Sequence, residues 1–229
     1  MTQSIYFKQL ELGPMQNYVY LVGDPATREA AVVDAAWDID TIVQTAESDG
    51  YRITHDLVTH FHPDHLGGAF MGHTVIGAAE LVGRVPARVV IHKAELPFVH
   101  RLTGLSDGDV TAVEGGDDLM IGNLKVKLLH TPGHTPGSQC FLVGNAVVSG
   151  DTLFIGSCGR VDLPGSSPED MYRSLHDVLA TLPDETVLFP GHNYADRPTS
   201  TIGQEKRTNM MLRFQNLKDF LGVMSPLRF

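Results

Sequence analysis

The sequence predicts a mixed α/β (α+β) protein folded as a single domain over residues 1–229. Three observations lead there. Apolar runs of strand length recur along the chain, separated by Gly, Pro and Asn punctuation. Stretches of helical period follow the strands in each half, so strands come first and helices later, twice over. With 229 residues, 42% hydrophobic and 19% charged, the chain can bury one sizeable core and has an ordinary soluble composition.

Ile5 to Leu10, Tyr18 to Gly23 and Ala30 to Asp34 read as three strands, with Gly13-Pro14 and Asp24-Pro25 between them, and imply an antiparallel start. Ile39, Ile42, Val43 and Ala46 recur at helical spacing, and Gly50 closes that helix with the left-handed geometry glycine permits. The run Asp56-Leu57-Val58-Thr59 is the next strand. Met71 to Pro86 is rich in small residues, with a short helix around Ile76 to Val82; it forms either a pocket wall or a plain surface connection. Arg88 to Ile91 reads as a buried strand and Ala94 to Leu102 as a short helix. Leu119 to Ile121, Leu124 to Leu129, Gln139 to Val143 and Ala146 to Ser149 are strands, turned at Gly122-Asn123 and Gly144-Asn145. Ser167-Pro168-Glu169-Asp170 starts a helix, with an N-cap serine, proline at the first position and acids in the first turn. Its apolar stripe is Met171, Leu175, Val178 and Leu182. After a strand from Thr186 to Phe189, one last amphipathic helix is expected to carry Met210, Phe214, Leu217 and Leu221.

The chemistry concentrates in His60-Phe61-His62-Pro63-Asp64-His65, which places three imidazoles and a carboxylate within six residues. A strand ending at Thr59 delivers His60 and His62 on one side, because side chains two apart share a face. Asp64 and His65 follow Pro63 and point elsewhere, toward a second cation. Gly67-Gly68 lets the backbone pass close to the cluster. Three further polar residues, His134, Asp151 and His192, each follow an apolar strand and sit among Gly or Pro, so a sheet would carry them to one edge. The set divides by charge and spacing: His60, His62 and His134 for one divalent metal, Asp64, His65 and His192 for the other, with Asp151 bridging. Asp64 is also the candidate catalytic group, orienting the nucleophile. Such a site acidifies a bound water to supply hydroxide at neutral pH. Zinc is the expected metal, with iron or manganese as alternatives. Asp34 either orients an imidazole through its second nitrogen or makes a turn. His55, His73, His92, His100, His130 and His176 lack the flanking pattern and are read as surface or structural, with His130, four residues before His134, also a candidate to support the site.

The remaining composition narrows the partners. Against 27 acidic residues stand 17 basic ones, a formal charge of -10, and no Lys or Arg run tracks a phosphate backbone, so nucleic acid is not an expected partner. Met1 to Tyr6 holds no basic segment leading into an apolar stretch, and nowhere do ~18 apolar residues run together, so no membrane partner is expected. Cys140 and Cys158 form no paired motif, which fits a reducing, cytoplasmic compartment. Cys140 reads as a small buried hydrophobe, Cys158 as a free loop cysteine. The expected ligand is a small molecule; a homodimer is compatible with the sequence.

With these motifs in place, the chain resembles the metallo-β-lactamase fold superfamily, whose signature is His-x-His-x-Asp-His followed by a separate His, Asp and His. The resemblance implies a four-layer αβ/βα sandwich with the metal site in a cleft at one edge of the two sheets. Thr59 through Gly68, Thr131-Pro132-Gly133-His134-Thr135-Pro136-Gly137-Ser138 and Gly150-Asp151-Thr152-Leu153-Phe154 are similar to the glyoxalase II branch, which hydrolyses glutathione thioesters. Only 37 residues follow His192, short for the helical glutathione-binding extension of that branch. Gly159-Arg160-Val161-Asp162 replaces its usual Lys/Arg-Phe-Tyr contact. Cys158-Gly159-Arg160-Val161-Asp162, with Ser200-Thr201 and Glu205-Lys206-Arg207-Thr208, looks instead like the persulfide dioxygenase branch, which uses a single Fe2+. The leading expectation is a metal-dependent hydrolase acting on a small, glutathione-derived thioester through metal-bound hydroxide. The alternatives are a mononuclear iron enzyme oxidising glutathione persulfide to sulfite, and a lactonase. Arg160, Tyr194, Lys206 and Arg207 are candidates to bind an anionic substrate, or ordinary surface and ion-pair residues.

Overall fold

The structure, a computed structural model, describes residues 4–70 and 72–224. Met71 and the N-terminal Met1, Thr2 and Gln3 of the sequence reading lie outside the described residues. Strands β1 (Tyr6–Leu12), β2 (Asn17–Asp24) and β3 (Glu29–Val33) form the antiparallel start that their turn residues imply. Helix α1 (Ile39–Ser48) is capped by the Asp38 carboxylate, which accepts from Thr41 N, and ends at Gly50 with φ +81°. Strand β4 (Arg52–Leu57) joins β3 in parallel and runs into the histidine cluster at helix α2 (Pro63–Leu66). The small-residue stretch that follows is a hairpin, β5 (Gly68–Phe70) with β6 (His73–Val75), and then helix α3 (Ala78–Arg84). Strand β7 (Arg88–His92), helix α4 (Leu96–Thr103) and strand β8 (Val110–Val113) complete the first half. Composition did not single out β8, a strand of only four residues.

The second half holds β9 (Asp118–Ile121), β10 (Leu124–His130), β11 (Gln139–Val143) and β12 (Ala146–Gly150), then the short pair β13 (Leu153–Phe154) and β14 (Ser157–Cys158). Helix α5 (Pro168–Arg173) starts as expected, with Ser167 Oγ accepting from Asp170 N. It then passes through a π-helical turn at Ser174–Val178. That wider turn admits one extra residue, so the buried stripe runs Met171, Leu175, Leu179 rather than through the expected Val178. Strands β15 (Val187–Pro190) and β16 (Ser200–Thr201) follow. The single amphipathic helix expected over Met210 to Leu221 is two, α7 (Met210–Arg213) and α8 (Leu217–Met224), and a helix that the apolar spacing did not mark, α6 (Ile202–Thr208), precedes them. Asn209 separates α6 from α7 and Asn216 precedes α8, their side-chain oxygens accepting from Met211 N and Asp219 N to begin new helices, and Met210 is left exposed.

Two six-stranded sheets, ordered β1-β2-β3-β4-β7-β8 and β16-β15-β12-β11-β10-β9, face each other. Strand β2 is buried on both faces, which explains its unbroken apolar run. Tyr18, Tyr20 and Val22 join Val126, Leu128 and Phe141 between the sheets. Val19 and Leu21 turn outward onto Ile39, Ile42 and Leu81 of the helices. Cys140, Val147 and Leu188 do the same on the other side, against Met171, Leu175 and Phe220. Helix, sheet, sheet and helix therefore make four layers. Strands β3, β4, β10, β12 and β15 all release their carboxyl ends toward one edge, where open α/β sheets place their ligand clefts.

Candidate metal centre

Four of the five histidines of the cluster commit Nδ1 to an acceptor, and that leaves Nε2 as the bare nitrogen. His65 Nδ1 donates to Asp34 Oδ2 at 2.9 Å. His134 Nδ1 donates to the Arg160 carbonyl at 2.8 Å, and His192 Nδ1 to the Met15 carbonyl at 3.0 Å. Thr59 Oγ1 gives its own proton to Asp34 Oδ2 at 2.8 Å, so it accepts from His60 Nδ1 at 2.9 Å. The Nε2 lone pairs of His60, His65, His134 and His192 are thereby turned inward. Asp34 anchors two of the four. It also accepts from Thr59 N at 2.7 Å and holds φ +58°, a left-handed conformation that aspartate tolerates, so the reading of Asp34 as an orienting carboxylate describes its position.

The inward atoms fall into groups whose members lie within 4.8 Å of one another: His60, His62, His134; His60, His65, Asp151; and Asp64, His65, His192. Asp151 stands between them, with Oδ2 3.5 Å from His134 Nε2 and Oδ1 3.4 Å from His65 Nε2 and 3.5 Å from His192 Nε2. A Cβ on Gly191 would sit 2.5 Å from Asp151 Oδ1 and one on Gly159 1.9 Å from its carbonyl, so only glycine lets the chain close around it. Asp64 Oδ2 lies 3.3 Å from His65 Nε2 and 3.4 Å from His192 Nε2, and accepts from Asn17 Nδ2 at 3.0 Å. Trp37 Nε1 in turn donates to Asn17 Oδ1.

These residues fit divalent cations. His62 Nδ1 and His134 Nε2 face each other at 2.9 Å, His65 Nε2 and His192 Nε2 at 3.2 Å, and facing lone pairs at such distances need a shared proton or cation. His60 Nε2 and Asp151 Oδ1 are buried with no hydrogen-bond partner, which is costly unless a cation supplies one. Burial and the surrounding imidazoles hold His60 far below the usual range, and burial with His134 beside it brings His62 down to about 4, so both are neutral at pH 7. Burial pushes the carboxylates up, but His65 outweighs it, keeping Asp64 well below the ordinary value and Asp151 at about 2. Burial pulls His65 down, but Asp64 and Asp151 outweigh it and hold the ring well above its ordinary value, so a cation bound there would take the place of its proton. All seven predicted ligands are thus brought together, with His60 and His62 neutral and Asp64 and Asp151 ionised.

The cleft above them holds about 800 Å³. Its wall includes Met15, Phe61, Phe70, Phe98 and Phe154. Phe61 and Phe98 stack at 4.0 Å, and the Arg101 guanidinium lies over Phe98 at 5.3 Å. The sequence reading missed Arg101 and this aromatic wall because only the fold brings α4 over the cluster. Tyr194 lines the cleft, stacked on His192 at 4.6 Å. Arg160 lines it too, but its guanidinium pairs with Asp162 at 2.6 Å, and its carbonyl is the part that touches the histidines. Lys206 and Arg207 do not reach the cleft: Lys206 pairs with Asp184 at 2.8 Å and Arg207 donates to Gln204 at 3.1 Å. In that segment the buried residue is Glu205, which accepts from Gly156 N, Ser200 Oγ and Asn209 Nδ2 and so ties the loop before Cys158 to α6. Cys158 borders the cleft, but burial pushes its thiol up to about 12, away from a reactive thiolate. Cys140 is fully buried, as its apolar run implies. His130 Nε2 donates to the Pro136 carbonyl at 2.9 Å, steadying the loop of His134. A larger groove of about 1050 Å³ along β9 to β11 holds no histidine.

Comparison with known proteins agrees with this arrangement. The chain is 37% identical over 183 residues to a hydroxyacylglutathione hydrolase of Maricaulis maris, covering 79% of this chain and 63% of that one. It is 29% identical over 220 residues to the mitochondrial persulfide dioxygenase ETHE1 of Bos taurus, covering 92% and 77%. A beta-lactamase hydrolase-like protein of Agrobacterium fabrum (strain C58) is 33% identical over 224 residues, and the chain, matched over 89% of its own length, spans about half of that relative, 52%. Among solved structures, ETHE1 from Myxococcus xanthus superposes with a TM-score of 0.83 at 34% identity, covering 98% of this chain and 92% of that one. No helix among the described residues is long and apolar enough to cross a membrane. Residues 12–192 match the profile of the metallo-beta-lactamase superfamily, from β1 to the last histidine of the cluster, and the chain belongs to that superfamily.

Proposed function

We propose that this chain is a dinuclear metal-dependent hydrolase that cleaves a small thioester of the hydroxyacylglutathione kind. The observation that carries this is Asp151, which turns one carboxylate oxygen toward each histidine group, as a bridging ligand does. His60, His62 and His134 would hold one cation and Asp64, His65 and His192 the other, with zinc expected first and iron or manganese as alternatives. When bound, the cations supply an acidified water and a charge that polarises a carbonyl. The chain's own residues do the rest. Asp64, ionised and held by Asn17, orients the attacking group; the aromatic wall excludes water and seats the apolar part of the substrate. Tyr194 and Arg160 line the same cleft, where they would flank the leaving thiol.

A second reading is iron-dependent oxidation of glutathione persulfide to sulfite with one Fe2+ at the first group. It is supported by the loop Cys158 to Asp162 and by likeness to an ETHE1 structure along 98% of the chain. Metal analysis of protein purified without added metal, with thiol release from a thioester panel and oxygen uptake on persulfide, decides between them. Two cations per chain and thiol release support hydrolysis. Protein with two cations that cleaves no thioester, ester or lactone overturns it, and oxygen uptake by iron-loaded protein then establishes the second reading.

A further inference from the structure

Glu95 is fully buried, and neither reading of the site uses it. It stands in the turn between β7 and α4 and makes no capping bond to that helix, and its two oxygens reach two loops that belong to different sheets. Oε2 accepts from the backbone N of Phe61, the residue between His60 and His62, at 2.9 Å. Oε1 accepts from Thr135 Oγ1 at 3.0 Å and from Gly137 N at 2.5 Å, on either side of the turn that follows His134. Gly137 is cut to this contact, because a Cβ there would lie 2.5 Å from Glu95 Cγ. The three partners are all donors, which suits a carboxylate and leaves no place for an amide NH2.

We propose that Glu95 is a positioning residue that fastens the loop of His60 and His62 to the loop of His134 and so sets cation affinity at the first group. It touches no ligand atom of its own. The second group has separate supports, since Asp64 is held by Asn17, His65 by Asp34 and His192 by the Met15 carbonyl. Strand contacts across the same gap, Gln139 N and Nε2 donating to Thr59 O and Val58 O, both at 2.9 Å, join the sheets below the ligands but do not reach either loop. Loss of the Glu95 contacts should therefore act on one group and leave the fold in place. The inference rests on reading the cleft as a metal centre.

Glu95→Gln tests it, because the amide keeps the volume and turns an NH2 toward either Phe61 N or the Thr135 and Gly137 donors. Zinc affinity is measured against a chromophoric chelator in two backgrounds, His192→Ala to report the first group and His134→Ala to report the second. The expected result is weaker binding by roughly 10 to 100-fold in the first background, the usual cost of losing a ligand's support, and a change under about two-fold in the second. Thr135→Val, which removes one donor and keeps the backbone, should give a smaller loss in the same background and serves if Glu95→Gln does not fold. Equal losses in both backgrounds, or no loss in the first, overturn the inference. Unmutated protein that takes up no cation removes the metal reading itself, and the inference with it.

Discussion

Asp34→Asn removes one charge and almost no volume from the point where both histidine groups are anchored. Asparagine accepts the left-handed backbone at φ +58°, so the main chain need not move. One amide atom can still accept from Thr59 N, but the other becomes an NH2 facing Thr59 Oγ1 and His65 Nδ1. Two donors then oppose each other at His65. The ring escapes by shifting its proton to Nε2, the atom that faces Asp64 and His192. The Thr59 hydroxyl turns to accept from the new amide and its own proton loses the Asp34 acceptor, so it competes with the proton on His60 Nδ1 and the second imbalance appears in the other group. Lost outer support of a ligating histidine costs about 10 to 100-fold in metal affinity, or roughly 1.4 to 2.8 kcal/mol. The assay is calorimetric titration of metal-free protein with zinc, with urea unfolding as the control for stability. Zinc affinity and stoichiometry equal to those of the unmutated protein would refute the argument that Asp34 sets these tautomers.

Three other outcomes follow from the geometry. Asp56 is fully buried with Oδ2 unpartnered, and burial raises its carboxyl well above the ordinary 3.8. The folded chain therefore keeps a proton that the unfolded chain has released, so this group's contribution is complete below the ordinary value and is lost as pH rises toward the raised one, with a slope of at most about 1.4 kcal/mol per pH unit. Asp56→Asn should flatten the stability profile between pH 5 and 8 in urea unfolding; a constant offset from the unmutated protein contradicts this. Arg160→Ala should cost under about 1 kcal/mol in unfolding free energy, because the pair with Asp162 is exposed, and should leave zinc binding intact because His134 is held by the Arg160 carbonyl. A raised KM with unchanged metal content would make the guanidinium a substrate contact, and lost zinc would show that the carbonyl anchor depends on the side chain. Chelation of cations present at about 100 times their dissociation constant should remove about 2.7 kcal/mol of stability, lowering Tm by roughly 5 to 11 °C for a chain of this size. Melting unaffected by the chelator argues against cations that stabilise the fold.

Most of the strands and the candidate ligand set were legible because each rests on local physics. Alternating or unbroken apolar runs mark β2, β10 and β12, and side chains two apart on an extended chain bring His60 and His62 to one side; the strand expected over Asp56 to Thr59 lies instead at Arg52–Leu57. The helix break at Asn216 was harder to see, since the apolar spacing of Met210, Phe214, Leu217 and Leu221 continues through it and only the capping bond to Asp219 N shows that a new helix begins. The shift from Val178 to Leu179 is similar, because a π turn leaves no mark in the periodicity of so short a helix. Lys206 and Arg207 looked available for an anion, yet Asp184 and Gln204 are their partners, and a pairing between distant segments is invisible along one chain.

The sequence by itself determined the fold class, the superfamily and the seven candidate ligands, because these follow from local spacing and from motifs read in order. Only the tertiary structure decided how those ligands are held. Asp34 and Thr59 turn the lone pairs of His65 and His60 inward, Asn17 holds Asp64, and Glu95 joins two loops from different sheets. Apart from the step from Thr59 to its neighbour His60, these contacts span tens of residues, and no local preference encodes them. They arise where two sheets, packed through Tyr20, Leu128 and Phe141, bring the ends of their strands together at one edge.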